Sequence, residues 1–334
     1  MLSIPAIGPY FTSEKMQTYI DADKDNNYKK YLISKTFKAA LFHADPTNFN
    51  YELVKIECVK LRLFLYADME KANKYIEINL FDFIPDLLFS LHDELNKEIK
   101  KNNEDGSNNI NSTDYNNDNK VDFTNELSVL KASVKDYLEK YRSKISDQFY
   151  FLIKITEECF DCQKNIKFST SVNYACVVFP DRTTIYVNRK EISVIDLLKH
   201  YCKKRPFNNV DIYCPYCGKK QNNINRTKNL YTSPLNLIIE LDYNDKDENK
   251  FKLNIDELIN IQEFVERKDI SKLNYRLVGA VFMEKNDNEN RKYVSITKNE
   301  NGQWYYFNGN SIQYSSLNNL INHERVKMLI YSSI

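Results

Sequence analysis

Four cysteines carry the most specific chemical signal in the chain. They fall in two pairs, Cys159-Phe-Asp-Cys162 and Cys214-Pro-Tyr-Cys217, with Gly218 directly after the second. A Cys-x-x-Cys turn presents two thiolates from one tight loop, and two such turns supply the four soft ligands of a tetrahedral zinc ion. Proline inside the second pair and glycine after it suit the turn such a knuckle requires. Cysteine fills all four positions, so no coordination site is left for water, and the expected ion is structural zinc. The spacer of 51 residues is too long for a compact zinc ribbon. The two turns are therefore expected at the tips of neighbouring β-hairpins, with further structure folded between them. The plainer alternative, four ordinary buried cysteines, leaves the two matched spacings unexplained. Cys58, Cys176 and Cys202 lie on apolar faces and are expected in the core.

The elements that must position these turns change character along the chain. Val54, Cys58, Leu61 and Leu65 line one helical face. Leu88, Leu91, Leu95 and Ile99 line another, with Pro85 expected near the first turn, where a missing N–H costs nothing. A third helix carries Leu127, Leu130, Val134 and Leu138 after a cap at Thr124 or Asn125. The stretch 100–120, built from Asn, Asp, Ser and Lys, cannot bury enough surface to offset chain entropy and reads as a disordered insertion. From about residue 146 short apolar runs of period two take over. Strands are expected at Phe149 to Ile155, Val172 to Phe179, Thr183 to Val187, Leu235 to Leu241, Tyr275 to Met283, Tyr293 to Thr297 and Val326 to Tyr331. One helix capped by Ser193 and carrying Leu197, Leu198 and Tyr201 interrupts them. Helices first and strands later, without a βαβ rhythm, indicate an α+β fold.

Composition excludes more than it selects. The 334 residues carry a net charge of +1, so no whole-chain attraction to nucleic acid or anionic lipid is expected. No apolar run approaches a membrane span and the first residues form no secretory signal, which points to an intracellular protein, cytoplasmic or nuclear. Seven cysteines in so long a chain are not a disulfide framework. Lys203, Lys204, Arg205, Lys219, Lys220, Arg226 and Lys228 make a basic neighbourhood around the second knuckle. It reads as a solvated face, with nucleic acid not expected as a direct ligand.

In order along the chain, several segments resemble the ubiquitin-specific proteases. Ala40-Leu41-Phe42-His43 is similar to the end of that family's nucleophile helix. Asp86-Leu87-Leu88 and Leu91-His92-Asp93-Glu94-Leu95 resemble its Glu-Phe-Leu…Leu-Leu-Asp-x-Leu helix. The Ser193-to-Leu198 helix before the second knuckle, the strand from Ser233 to Leu241, and the blocks at Tyr275, Tyr293, Trp304 to Asn308 and Met328 to Tyr331 follow in family order. The resemblance implies a papain-like cysteine protease fold in one domain. Its parts would be a helical thumb (about 1–145), zinc-bearing β fingers (about 146–245) and a β palm (about 246–334).

Such a protease needs a thiolate, a His to take up and return its proton, and an Asn or Asp to orient that His. The resemblance places the nucleophile at Leu32, the base at Lys292 within Arg291-Lys292-Tyr293, and the orienting residue at Asn308. Leucine cannot attack a carbonyl, no cysteine precedes Cys58, and an ammonium group is a poor base. None of His43, His92, His200 or His323 neighbours a cysteine at a telling spacing. The expectation is a catalytically inactive domain that binds or scaffolds proteins, ubiquitin or a multiprotein complex among them. The alternative is an active cysteine-type deubiquitinase hydrolysing isopeptide bonds at ubiquitin C-termini through an unrecognised nucleophile such as Cys58.

Overall fold

The computed structural model describes residues 32–46, 49–65, 80–104, 125–141, 143–178, 191–241, 252–269, 271–285, 291–299, 301–308, 311–316 and 326–334. Among the described residues the helices come first: α1 (Leu32–Ala44), α2 (Tyr51–Leu65), α3 (Leu80–Glu104), α4 (Glu126–Lys140) and α5 (Lys144–Phe149). β1 (Phe151–Cys159), β2 (Asn165–Asn173), β3 (Ala175–Val178) and β4 (Glu191–Ser193) lead to α6 (Val194–Cys202). Then come β5 (Arg205–Tyr213), β6 (Lys220–Leu230), β7 (Asn236–Leu241), β8 (Lys252–Asn254) and β9 (Leu258–Asn260). The chain closes with β10 (Asn274–Lys285), β11 (Arg291–Lys298), β12 (Trp304–Asn308), β13 (Ser311–Ser315) and β14 (Val326–Ser333).

Local chemistry sets several of these boundaries. Asn125, not Thr124, caps α4, its side chain accepting from the Ser128 N–H. Ser193 and Asp196 form a reciprocal capping box at the start of α6, as Ser143 and Ser146 do for α5. α3 begins a turn earlier than the sequence suggests, so Pro85 lies inside it. Phe83 and Ile84 pack against the core there, and that burial offsets the backbone bond a proline forfeits. The same helix runs on to Glu104, because Lys and Glu are good helix formers even in a polar run. The rest of the Asn-rich stretch, the strand expected at 183–187 and His323 lie outside the described residues.

A four-stranded antiparallel sheet, in the order β2-β1-β6-β5, carries both cysteine turns. A larger sheet runs β13-β12-β11-β10-β14-β7-β3, with β9 also paired to β10. β3 and β7 belong to this larger sheet, so the finger sheet is confined to 151–173 and 205–230 within the broader range the resemblance implied. The reason is burial: all six residues of β7 are buried, the mark of a central strand covered on both faces. Leu237, Ile239 and Leu241 face one core with Val194, Leu197 and Leu198 of α6. Ile238 faces a second core with Phe37 and Leu41 of α1, Leu88 and Leu91 of α3, and Phe149 of α5. Helices thus cover both faces of the large sheet, and α1 is clamped against it through Val278 and Met328.

Cys176 is buried as expected, and Cys202 packs against the same core. Cys58 is not: it lies exposed on α2, whose core-facing residues are Leu61 and Leu65. The helical periodicity of that segment is legible, but the buried stripe is narrower than its apolar residues, with Ile56 and Val59 also exposed.

Candidate functional site: a metal centre and a capped helix terminus

β1 and β6 pair antiparallel, with Cys159 opposite Ile224, and this ladder brings the β1–β2 and β5–β6 turns side by side. The two turns repeat one hydrogen-bond pattern. The Cys159 N–H donates to Lys164 O at 2.9 Å and the Gln163 N–H to Cys159 O at 3.0 Å. The Cys214 N–H donates to Lys219 O at 2.9 Å and the Gly218 N–H to Cys214 O at 3.0 Å. Each turn closes through a left-handed residue, Gln163 at φ 57° and Gly218 at φ 66°. Glycine takes that conformation freely, which is why the second turn is easier to read in sequence than the first.

All four sulfurs lie within 4.8 Å of one another. Cys159 and Cys217 are 3.8 Å apart and Cys162 and Cys214 3.7 Å. A tetrahedral ion with Zn–S bonds of about 2.3 Å spaces its sulfurs by about 3.8 Å, so the cluster has the dimensions of a tetrathiolate zinc site. Burial works against the Cys214 thiolate, yet the Cys217 and Tyr216 N–H groups and the neighbouring thiols bring it down to about 7. That donor set suits a soft cation, and the four cysteines could hold one zinc ion. The seams around them are apolar, with Ile166 and Ile224 buried against the sulfurs.

At the other candidate site the structure joins two of the three positions that the resemblance assigns to catalysis. Lys292, on β11, donates through Nζ to Asn308 Oδ1 at the end of β12. The Tyr306 hydroxyl donates to Glu284 Oε1 at 2.7 Å, and Glu284 is the cross-strand partner of Lys292. Burial and Glu284 push the Tyr306 phenol up to about 12. The result is a polar cluster of Lys292, Asn308, Tyr306 and Glu284 across β10, β11 and β12.

Leu32 is the first residue of α1. The amides that follow it are occupied. Glu94 of α3 accepts from the Ile33 N–H at 2.9 Å, the Ser34 N–H at 2.8 Å and the Ser34 hydroxyl at 2.7 Å. A carboxylate at a helix N-terminus satisfies two orphan donors and sits favourably in the helix dipole. In the sequence Glu94 stands out only as part of an apolar helix motif. The signal that would find it is the lack of any local cap for α1, which obliges a distant residue to supply one.

The remaining candidates lie on α1, α2, α3, α6 and β3. His92 is buried, its Nδ1 2.6 Å from Ser143 Oγ and its ring stacked on Tyr141. His200 is buried in the last turn of α6, and His43 lies in the last turn of α1. Although the residue as a whole is exposed, desolvation by the surrounding helix, then Glu57, raise the Cys58 thiol. Burial lifts the Cys202 thiol to about 12 and the Cys176 thiol well above its ordinary value.

Comparison with known proteins agrees with this geometry. The family model for ubiquitin carboxyl-terminal hydrolase matches residues 1–331. The chain belongs to that family. Among solved structures it is similar to the SAGA DUB module of Ubp8, Sgf11, Sus1 and Sgf73 bound to monoubiquitin, with TM-score 0.63, 14% identity and coverage of 98% of this chain and 64% of the other. The same module bound to ubiquitin aldehyde gives TM-score 0.61 at 16% identity, again covering 98% of this chain and 64% of that one. The hydrolase-family chain described here therefore spans just under two thirds of the length of these structural relatives. No curated protein sequence matches it. Its fold is the α+β ubiquitin-protease architecture, and among the described residues no helix is long and apolar enough to cross a membrane.

Proposed function

We propose that this member of the ubiquitin carboxyl-terminal hydrolase family is catalytically silent and serves as a protein-binding or scaffolding domain. The observation that carries the reading is the first turn of α1. A leucine stands where the family's nucleophile is expected, and the amides behind it are bound by the Glu94 carboxylate. A thiolate needs a positive local field, whereas this helix end is already neutralised by an anion. At the base position, Lys292 is tied to Asn308. The zinc-binding cysteines, the core of the large sheet and the thumb helices persist, which are the parts a binding surface requires. Relatives in complex with ubiquitin and with Sgf11, Sus1 and Sgf73 support ubiquitin or a multiprotein assembly as the partner class.

Incubation with ubiquitin vinyl sulfone tests the chemistry: no adduct is expected, and a covalent adduct overturns the reading. Titration of labelled ubiquitin tests the ligand separately, and a flat curve into the millimolar range removes ubiquitin while leaving the scaffold. A second reading, hydrolysis through Cys58, draws on the exposure of that thiol. The raised Cys58 pKa opposes it. An adduct that disappears in Cys58→Ser would establish it.

A further inference from the structure

The seven basic residues around the second knuckle do not form one surface. Lys204 pairs with Glu158, Lys219 with Asp161 at 3.3 Å, and Lys220 with Asp211 at 3.0 Å. These pairs neutralise the finger tip and its outer edge. Lys203 caps the end of α6 outside the sheet, and strand alternation gathers Arg205, Arg226 and Lys228 on one face of the finger sheet. Arg205 of β5 is the direct cross-strand partner of Arg226 of β6, and Arg226 is in turn opposite Glu157 of β1. Lys228 follows two residues along the same face as Arg226, its ammonium 5.6 Å from the Tyr201 ring centroid.

Arg205, Arg226 and Lys228, with Lys167 of β2 opposite Glu157, share this face with one paired carboxylate. Arg226 donates through Nε, at 3.2 Å, and Nη2 to Glu157 Oε1. Arg205 spends Nη2 on the His200 carbonyl at 2.8 Å. Like charges directly across a ladder destabilise it unless a counter-charge is supplied. Burial, then Arg226 and Arg205, lower the Lys228 pKa, so the three fields overlap. One further feature marks the face as a contact surface. The Arg226 guanidinium lies 3.7 Å from the centroid of Phe207, a ring 43% exposed.

We propose that this Arg205–Arg226–Lys228 face, with Phe207, docks an acidic segment of a partner protein. It rests on the protein-binding reading above. Aspartate or glutamate side chains would meet the Lys228 ammonium and those guanidinium N–H groups of Arg205 and Arg226 that are not already spent on His200 and Glu157. The charge count favours protein over nucleic acid. A phosphate backbone is held by a long basic stripe, and the local ion pairs have already neutralised the cations that would extend this one. Addition of a strand to edge strand β5 is disfavoured by Pro206 and by the register break between Asn208 and Ile212, so recognition runs through side chains.

The test is fluorescence anisotropy of a labelled oligoglutamate peptide with the full chain, beside an oligoglutamine peptide and a single-stranded RNA of equal length. Oligoglutamate is expected to bind, and more weakly as salt rises. Lys228→Glu is expected to cut affinity about tenfold and Arg205→Gln to cut it severalfold. Lys219→Glu, at the neutralised tip, should stay within about twofold. Zinc content and melting temperature identify any variant that misfolds, and the exposed Lys228 keeps the test open if Arg205→Gln does so. Equal binding by wild type and Lys228→Glu, an equal loss in Lys219→Glu, or tighter binding of RNA than of oligoglutamate each overturns the proposal. These outcomes are independent of the vinyl sulfone result, so failure here leaves the silent-enzyme reading standing.

Discussion

At the scale of single residues, the first turn of α1 decides more than any other position. Glu94 reaches it from 60 residues away in sequence and holds it with three hydrogen bonds. Restoring a thiol at position 32 is therefore not enough to restore a nucleophile. In Leu32→Cys the nearby carboxylate opposes the thiolate, and the thiol is expected to titrate no lower than an ordinary cysteine. Removing the charge while keeping an acceptor, in Leu32→Cys/Glu94→Gln, should lower its apparent pKa by about half a unit, the scale of a helix-dipole interaction. Alkylation rate against pH reads both values, and identical profiles would show that Glu94 has no electrostatic hold on the site. Cys58 makes the complementary point. Its spacing suits a core position, yet only packing could show that α2 turns it outward.

Among the elements, the two hairpins of the finger sheet are the least legible and the metal turns the most. β6 is rich in Asn and Lys, and only Gln221, Ile224 and Leu230 in it are buried. No hydrophobic alternation marks it, because it is held by backbone pairing to β1 and β5 on its two sides. Zinc would fix the free ends of both hairpins. Cys214→Ser is expected to lose bound zinc and to expose the finger amides to exchange while the helical amides of α1 and α3 keep their protection. Equal zinc in mutant and wild type would overturn the assignment. Protons compete for thiolates, so zinc affinity should fall as the pH falls. Zinc release followed by a chromophoric chelator across a pH series checks the sign.

For the whole molecule, the second core couples the N-terminal helices to the large sheet: Leu91 of α3, fully buried, meets α1, α5 and the face of that sheet. Leu91→Ala should cost about 2–5 kcal/mol in urea unfolding, through lost burial and the cavity left behind. The metal site lies in a separate cluster, so zinc content should be unchanged; loss of zinc in this variant would show that fingers and thumb unfold as one unit.

What the sequence determined alone was local. Two Cys-x-x-Cys turns, a Ser193 cap and the absence of any thiol before Cys58 each depend on a few adjacent residues. Turn and cap chemistry operate over that range. What tertiary structure decided was every pairing across long separations: Glu94 on α1, Lys292 on Asn308, and the division of one basic run into neutralised pairs and a residual cationic face. Charges and hydrogen bonds act through space, and strand register and helix packing set which groups come within reach. The residue types give the local chemistry, and the fold decides which distant groups meet.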